Sequence, residues 1–305
     1  MDFLQQLKVF VAVAENRSFT RAADALRATR PAVTNAVNEL EASIGARLLH
    51  RTTRQTSLTS EGRLFYDRAV AILNEVGQAR NLFGGVGDAP KGRLRVDIPV
   101  AIAKPLIIPN LPDFQAKYPD IDLILGVSDQ PVDLIAEGVD CVLRIGDLPV
   151  SSLVGRVLAK MAMLICASPV YLDRYGTPES VEDLSDHLAV NYFSGRGHIP
   201  IPWRLPQGSG ERELRLQTGI LVNDTEAFVA CALAGMGLIQ VPGCVVKDHL
   251  KSGALVRVLP RLRPVDRPLS IMFPAREHLA PQVRVFIDWA KSIVVGVDSP
   301  WISSP

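Results

Sequence analysis

SFTRAADALRATRPAVTNAVNEL, residues 18–40, is the stretch whose reading decides the fold. Ser18 is a helix-start residue, and Ala22, Ala23 and Leu26 give the short helix behind it a compact apolar side. A turn follows at Arg27–Ala28. Thr29 can then cap a second helix whose first turn carries Pro31, where a missing N–H has no intrahelical partner to lose. Along that helix Val33, Ala36, Val37 and Leu40 recur at spacings of three and four and so share one face. Arg30, Pro31, Thr34, Asn35 and Asn38 fall on the opposite face, which offers amides and a hydroxyl for base edges and an arginine for guanine or phosphate. A polar face alone would be a solvated helix surface. An Ala-rich helix, a short turn and a Pro-started helix in succession point instead to a helix-turn-helix that reads DNA, with Ser18 and Thr20 at the entry of its first helix as further contacts.

Working outward, Leu4, Leu7, Val11 and Ala14 give an amphipathic first helix that can close a small core beneath this motif. Residues 45–54, GARLLHRTTR, have the glycine, apolar pair and basic tip of a β-wing. Eight Lys/Arg against five Asp/Glu give residues 1–59 a formal charge of +3, while the whole chain carries only +1. Attraction to a polyanion is therefore local to this segment. Arg51, Thr52 and Arg54 would serve phosphates or a narrow minor groove beside the recognition helix.

The run FVAVAENRSFTRAADALRATRPAVTNAVNELEASIGARLLHRTTRQTSLTSEG, residues 10–62, resembles the amino-terminal domain of the LysR-type transcriptional regulators, and the resemblance continues to about Val295. It implies a winged helix-turn-helix, a dimerising linker helix and an effector domain of periplasmic-binding-protein type. By residue match, Pro31, Thr34 and Asn35 would read bases, and Arg51 and Arg54 would be wing contacts. Many members carry serine then arginine where this chain has Thr34–Asn35, a departure at the reading positions.

Length and composition agree independently. With 305 residues, 48% of them hydrophobic, the chain can bury more than one core. No run of about eighteen apolar residues predicts a membrane span, and the first residues lead straight into helix one with no signal peptide. Cys141, Cys166, Cys231 and Cys244 lack CxxC spacing and read as buried thiols of a reducing cytoplasm. The five histidines form no ligand pair at helical spacing, so neither a metal nor a cofactor is expected.

Residues 61 to about 83 read as a long helix, started by Thr59–Ser60–Glu61–Gly62 and stopped by Gly84, Gly85, Gly87 and Pro90. Phe65, Ala69, Ile72, Val76, Ala79 and Phe83 step by four and three, the heptad stripe of a helix seam. A helix packed on its own domain shows similar spacing. Dimerisation is favoured because a half-site reader needs a twin to hold a palindrome.

Beyond the Gly/Pro break, strands and helices alternate. Strands are expected near Leu94–Ile98, Ile121–Val127 and Cys141–Ile145, with a proline-interrupted helix over 101–118 and a helix over 131–137. This βαβαβ order predicts a parallel sheet covered by helices. A second set spans 163–250. A strand at Leu269–Phe273 and an amphipathic helix at 281–295 in the family return to the first lobe. The overall expectation is an α/β chain with a winged helix-turn-helix at 1–59, a linker helix at 60–88 and a two-lobe effector domain at 89–305. Lobe 1 covers about 93–165 and 269–295, and lobe 2 about 166–268.

A cleft between two such lobes suits a small molecule, because helix starts and strand ends point into it. Lining candidates are Val100 and Ala101 at the first helix start, Ser128 after the second strand, Arg144 after the third, Asn223 and Thr225 at a helix start, and Gln240. Arg144 can hold a carboxylate bidentately or bridge to Asp140 or Asp147, and the residues around Asp224 can line the cleft or merely cap a helix. Gly235–Met236–Gly237 ends a helix rather than opening one, so it is no dinucleotide fingerprint. The arginine-rich stretch 257–267, broken by prolines, reads as a solvated connector, and residues 296–305 as a frayed tail. No catalytic constellation occurs. The expected protein is an effector-controlled DNA-binding regulator, a homodimer or homotetramer on an interrupted palindrome of double-stranded DNA. The rivals are a solute-binding protein or enzyme, or an architectural DNA-binding protein without effector control.

Overall fold

The structure, a computed structural model, describes residues 1–51, 56–81, 90–147, 153–195, 197–208, 210–274, 279–296 and 299–305. It divides into two compact units, one holding Met1–Asp88 with Asp133–Val139, the other Ala89–Val132 with Asp140–Pro305.

The first unit is built from α1 (Phe3–Asn16), α2 (Phe19–Ala25), α3 (Arg30–Ile44), β1 (Leu49–Arg51), β2 (Thr56–Leu58) and α4 (Ser60–Asn81). Each of the first three helices starts on a side-chain cap: Asp2 accepts from the Gln5 N–H, Ser18 from Arg21 and Thr29 from Ala32. These caps satisfy backbone donors that a helix start leaves without partners. Leu7, Phe10, Val13, Ala22, Val33, Val37 and Leu40 close one buried core between the three helices. The wing is an antiparallel pair with His50 opposite Ser57. Its base is held by Glu41, a buried carboxylate whose Oε1 accepts the N–H groups of Leu48 and Leu49 at 2.8 and 3.1 Å. Thr59 starts α4, donating to the Arg47 carbonyl and accepting the Gly62 N–H, each at 2.8 Å. A Cβ on Gly62 would lie 1.9 Å from the Leu48 carbonyl oxygen, so only glycine lets the linker helix approach the wing.

The second unit has two lobes. In the first, β3 (Gly92–Ile98) pairs in parallel with β4 (Ile121–Val127) and β5 (Cys141–Ile145). The connection from β3 to β4 is helical throughout, but prolines at 105, 109 and 112 break it into α5 (Val100–Ile102), a π-helical turn, a 3-10 turn and α6 (Leu111–Lys117). β6 (Leu153–Met161), β14 (Arg267–Pro274) and β15 (Ile302–Ser303) extend the sheet in the order β15-β6-β14-β5-β3-β4. The added strands run antiparallel. The expected parallel sheet is thus three strands wide, because β6 and β14 carry the chain between lobes instead of returning through a covering helix. α10 (Pro281–Gly296) lays Val283, Phe286, Ile287, Ala290 and Val294 on this sheet.

The second lobe holds β7 (Met163–Ala167), α7 (Pro169–Tyr175), β8 (Leu188–Tyr192), β9 (Trp203–Gln207), β10 (Gly210–Leu214), β11 (Gln217–Val222), α8 (Thr225–Leu233), β12 (Ile239–Pro242), α9 (Gly243–Ser252) and β13 (Val256–Val258). β12, β7 and β13 form an antiparallel sheet, β11 pairs in parallel with β8, and β9–β10 is a hairpin.

Four expectations are corrected. Residues 131–137 do not form a helix; 131–133 are irregular and 134–138 form a turn, with Asp133 Oδ1 accepting the N–H groups of Ile135 and Ala136, a local alternative to a helical ladder. The first crossing falls at Ala162, ahead of the expected boundary, with β7 already in the second lobe. Arg267 is buried, donating to the Pro202 carbonyl at 3.1 Å, so the 257–267 connector is not solvated along its length. The tail does not fray where it is described: Ile302 pairs with Met161, and the Trp301 carbonyl accepts the Ala162 N–H at 2.9 Å. Trp301 packs against the apolar cores of both lobes, and a Cβ on Gly243 would lie 2.2 Å from its ring.

Candidate DNA interface and effector cleft

On α3 the buried side is Val33, Ala36, Val37, Leu40 and Glu41. Arg30, Pro31, Asn35 and Asn38 are exposed, Thr20 is exposed on α2, and Thr34 and Ser18 are partly so. Two of the hydroxyls already have local work. Ser18 caps α2, and Thr34 donates to the Arg30 carbonyl at 3.0 Å, which leaves only its oxygen lone pairs for a partner. On that face the Asn35 and Asn38 side chains are exposed, whereas the Thr34 hydroxyl is partly covered and its proton is engaged. Arg51 ends β1, but its side chain, with Thr52 and Arg54, lies outside the described residues.

The linker stripe divides in two. Ala69 is fully buried in the headpiece core, and Phe65 packs there with its ring 5.5 Å from that of Phe10. These two fasten α4 to α1 of the same chain, which corrects their expected place in a seam between chains. Ile72 is 39% exposed and Val76 partly exposed, while Leu64, which the heptad count passed over, is 74% exposed. The side chain of Ala79, and all of Phe83, lie outside the described residues.

In the second unit, Val100, Ser128, Asn223 and Thr225 come together around Asp129, a residue the sequence reading missed. Asp129 Oδ1 accepts the Val100 N–H at 3.0 Å, and its Oδ2 accepts the Thr225 N–H at 2.7 Å. Ser128 Oγ accepts the Gln130 N–H at 3.0 Å. The Asn223 carbonyl accepts from Gln130 Nε2 at 3.0 Å and from the Tyr192 hydroxyl at 3.2 Å. Asp224 caps α8 through the Ala227 N–H at 2.8 Å, which answers cap against lining for that residue. Burial, and after it the negative charge of Asp129, push the Tyr192 hydroxyl well above its ordinary range, so it stays a donor.

Arg144 bridges to neither of its expected partners. It pairs with Asp97 at 2.7 Å and donates to the Gln130 and Leu143 carbonyls at 3.0 and 2.7 Å. Asp140 accepts the Arg95 N–H, and Asp147 pairs with Arg204 and Arg267. A guanidinium so engaged offers no free fork to a carboxylate. Ala101 is buried. Gln240 is buried too, and its carboxamide is bonded both ways to the Arg204 main chain at 3.3 and 3.5 Å, so it braces β9 instead of facing a ligand. The cue for Asp129 was available, since it is an acid two residues past the end of β4, where strand ends of α/β sheets build ligand sites.

All four cysteines are free, and burial pushes the Cys166 thiol up to about 12 and Cys244 to about 11, leaving both as inert thiols. Among the described residues no group of three or more His, Cys, Asp or Glu is placed to hold a metal. None of the described helices is long and apolar enough to cross a membrane.

Comparison with known proteins agrees with this division. Residues 4–63 match the bacterial regulatory helix-turn-helix protein model of the lysR family, and residues 87–293 match the LysR substrate binding domain. The chain is 37% identical over 294 residues to the HTH-type transcriptional regulator YhjC of Escherichia coli K12, covering 96% of this chain and 98% of that one. It is 36% identical to an HTH-type transcriptional repressor of Pseudomonas aeruginosa UCBPP-PA14, over 96% of this chain and 92% of that one. Among solved structures, CrgA, a LysR-type transcriptional regulator from Neisseria meningitidis, aligns with a TM-score of 0.58 at 31% identity, covering 94% of this chain and 97% of that one. With a helix-turn-helix and wing in the first unit, two α/β lobes in the second, and both domain models matched in that sequence order, this chain belongs to the LysR family of DNA-binding, effector-responsive transcriptional regulators, which are not enzymes.

Proposed function

We propose that this regulator acts in the cytoplasm as a homodimer or homotetramer, that each headpiece reads one half of an interrupted palindrome, and that a small molecule in the cleft between the lobes changes the geometry of the assembly. The observation that carries the reading is the two-sidedness of α3: its apolar side closes the headpiece core, while Arg30, Asn35 and Asn38 stand outward. A helix so placed can present amides to base edges, and the sequence resemblance assigns phosphate contacts to Arg51 and Arg54. Among the described side chains of α4, Leu64, Ile72 and Val76 are apolar groups left open for a second copy to cover. An effector acts on such an assembly only by preferring one arrangement over another.

Selection of bound duplexes from a random DNA pool, with and without a metabolite library, tests this. The expected result is enrichment of a two-fold symmetric site with a spacer, and a shift in the enriched spacing when an effector is present. Enrichment of a single asymmetric half-site, or of nothing, overturns it.

A further inference from the structure

Three successive contacts tie the second lobe to the first at the start of α8. Gln130 Nε2 donates to the Asn223 carbonyl, Asp129 Oδ2 accepts the Thr225 N–H, and Lys104 pairs with Glu226. The middle one combines an ionised acceptor with partial burial, whereas the other two contacts are exposed and water screens them. Its loop is well anchored on the first lobe. The Ser128 N–H donates to the Ile98 carbonyl at 3.1 Å, Asp129 Oδ1 accepts the Val100 N–H, and Arg144, itself held by Asp97, donates to the Gln130 carbonyl. Both carboxylate oxygens of Asp129 are thus used on backbone N–H groups, one in each lobe.

We infer that Asp129 is a latch that holds the two lobes together and bars simple carboxylates from the cleft. This rests on the cleft being the effector site. A ligand that separates or turns the lobes must break the bond between Asp129 and Thr225. A free acid cannot do so cheaply, because the position beside the two N–H groups already holds a negative charge, Asp224 adds another, and Arg144 and Lys104 are both paired. An anchored group on the same chain also competes at an effective concentration of about millimolar or more, which a dilute metabolite does not match. The cleft therefore favours ligands that donate hydrogen bonds or carry positive charge over small acids.

Hydrogen exchange on the full chain, with acetate as the probe and chloride as the ionic-strength control, tests the latch without any effector. In Asp129→Ala, amides in segments 100–104 and 224–228 should exchange about tenfold faster or more, as expected for loss of a charge-assisted bond, with α10 and the headpiece unchanged. Acetate should restore slow exchange in that variant saturably, by filling the vacated position, and should leave the wild type unaffected. Asp129→Asn keeps one acceptor and loses the charge, so a smaller rise in the same two segments is expected, and this variant carries the test if the alanine one does not fold. Unchanged exchange in both segments, a uniform rise across the effector unit, or equal responses to acetate in wild type and variant would each overturn the latch. Failure of every metabolite to alter DNA binding would sink the cleft reading instead, and it would leave this exchange pattern standing.

Discussion

On α3 of the headpiece, Asn35 and Asn38 stand open to solvent, whereas in the effector unit Arg144, Asp97, Asp129 and Gln240 are each bonded to another part of the protein. The contrast follows from what each surface must do. A DNA reader gains affinity by offering donors and acceptors that only the duplex satisfies, and water serves them meanwhile. A cleft that controls an assembly needs a defined resting state, and internal bonds supply one. Its ligand must exchange bonds with the protein, so part of its binding energy goes into rearrangement.

The contrast can be broken most forcefully at Arg144. Arg144→Ala leaves Asp97 as an unpaired, nearly buried carboxylate, and a loss of about 3 kcal/mol from the effector unit is expected in denaturant melts, with DNA affinity of the headpiece preserved. If the variant melts like wild type, the ion pair is not structural. Next in size, Gly62→Ala forces a methyl against the Leu48 carbonyl and should cost the headpiece about 2 kcal/mol while sparing the effector unit. Calorimetry that resolves the two units would tell these effects apart. Asn35→Ala removes an exposed amide from the reading face, so it should change preference at one base pair per half-site by about 1–3 kcal/mol with little change in stability. Competition binding with single-base operator variants measures it. The smallest effect belongs to Arg54→Ala, which should weaken all sequences alike and lower the slope of log affinity against log salt by about 1. Equal losses on every sequence for both the Asn35 and Arg54 variants would erase the distinction between reading and positioning.

The headpiece was legible in the sequence because its determinants are local. Ser18 and Thr29 cap helices a few residues away, and Val33, Ala36, Val37 and Leu40 show their common face through spacing alone. The cleft was less legible because its bonds join residues far apart: Asp129 meets Thr225, Arg144 meets Asp97, and Gln240 meets Arg204. Strand ends pointed to the right neighbourhood, but which side chain faces which depends on register that no local pattern records. The linker stripe is the intermediate case. The period was visible, yet Phe65 and Ala69 face α1, since a heptad does not say whether its partner is another chain or the same one. The edges of the second unit were missed for a similar reason. β15 is two residues long and is held by Trp301 and Met161, too short to carry a pattern of its own.

Trp301 sits where the lobes exchange strands, touching both apolar cores, with its main chain bonded to Ala162 between β6 and β7. An indole in that position is a native optical gauge. If an effector swings one lobe, the ring must trade neighbours, and its emission should move in wavelength or intensity. The other two tryptophans, Trp203 and Trp289, each pack within one lobe and add a steady background, so an unlabelled chain can report its own switching in a cuvette.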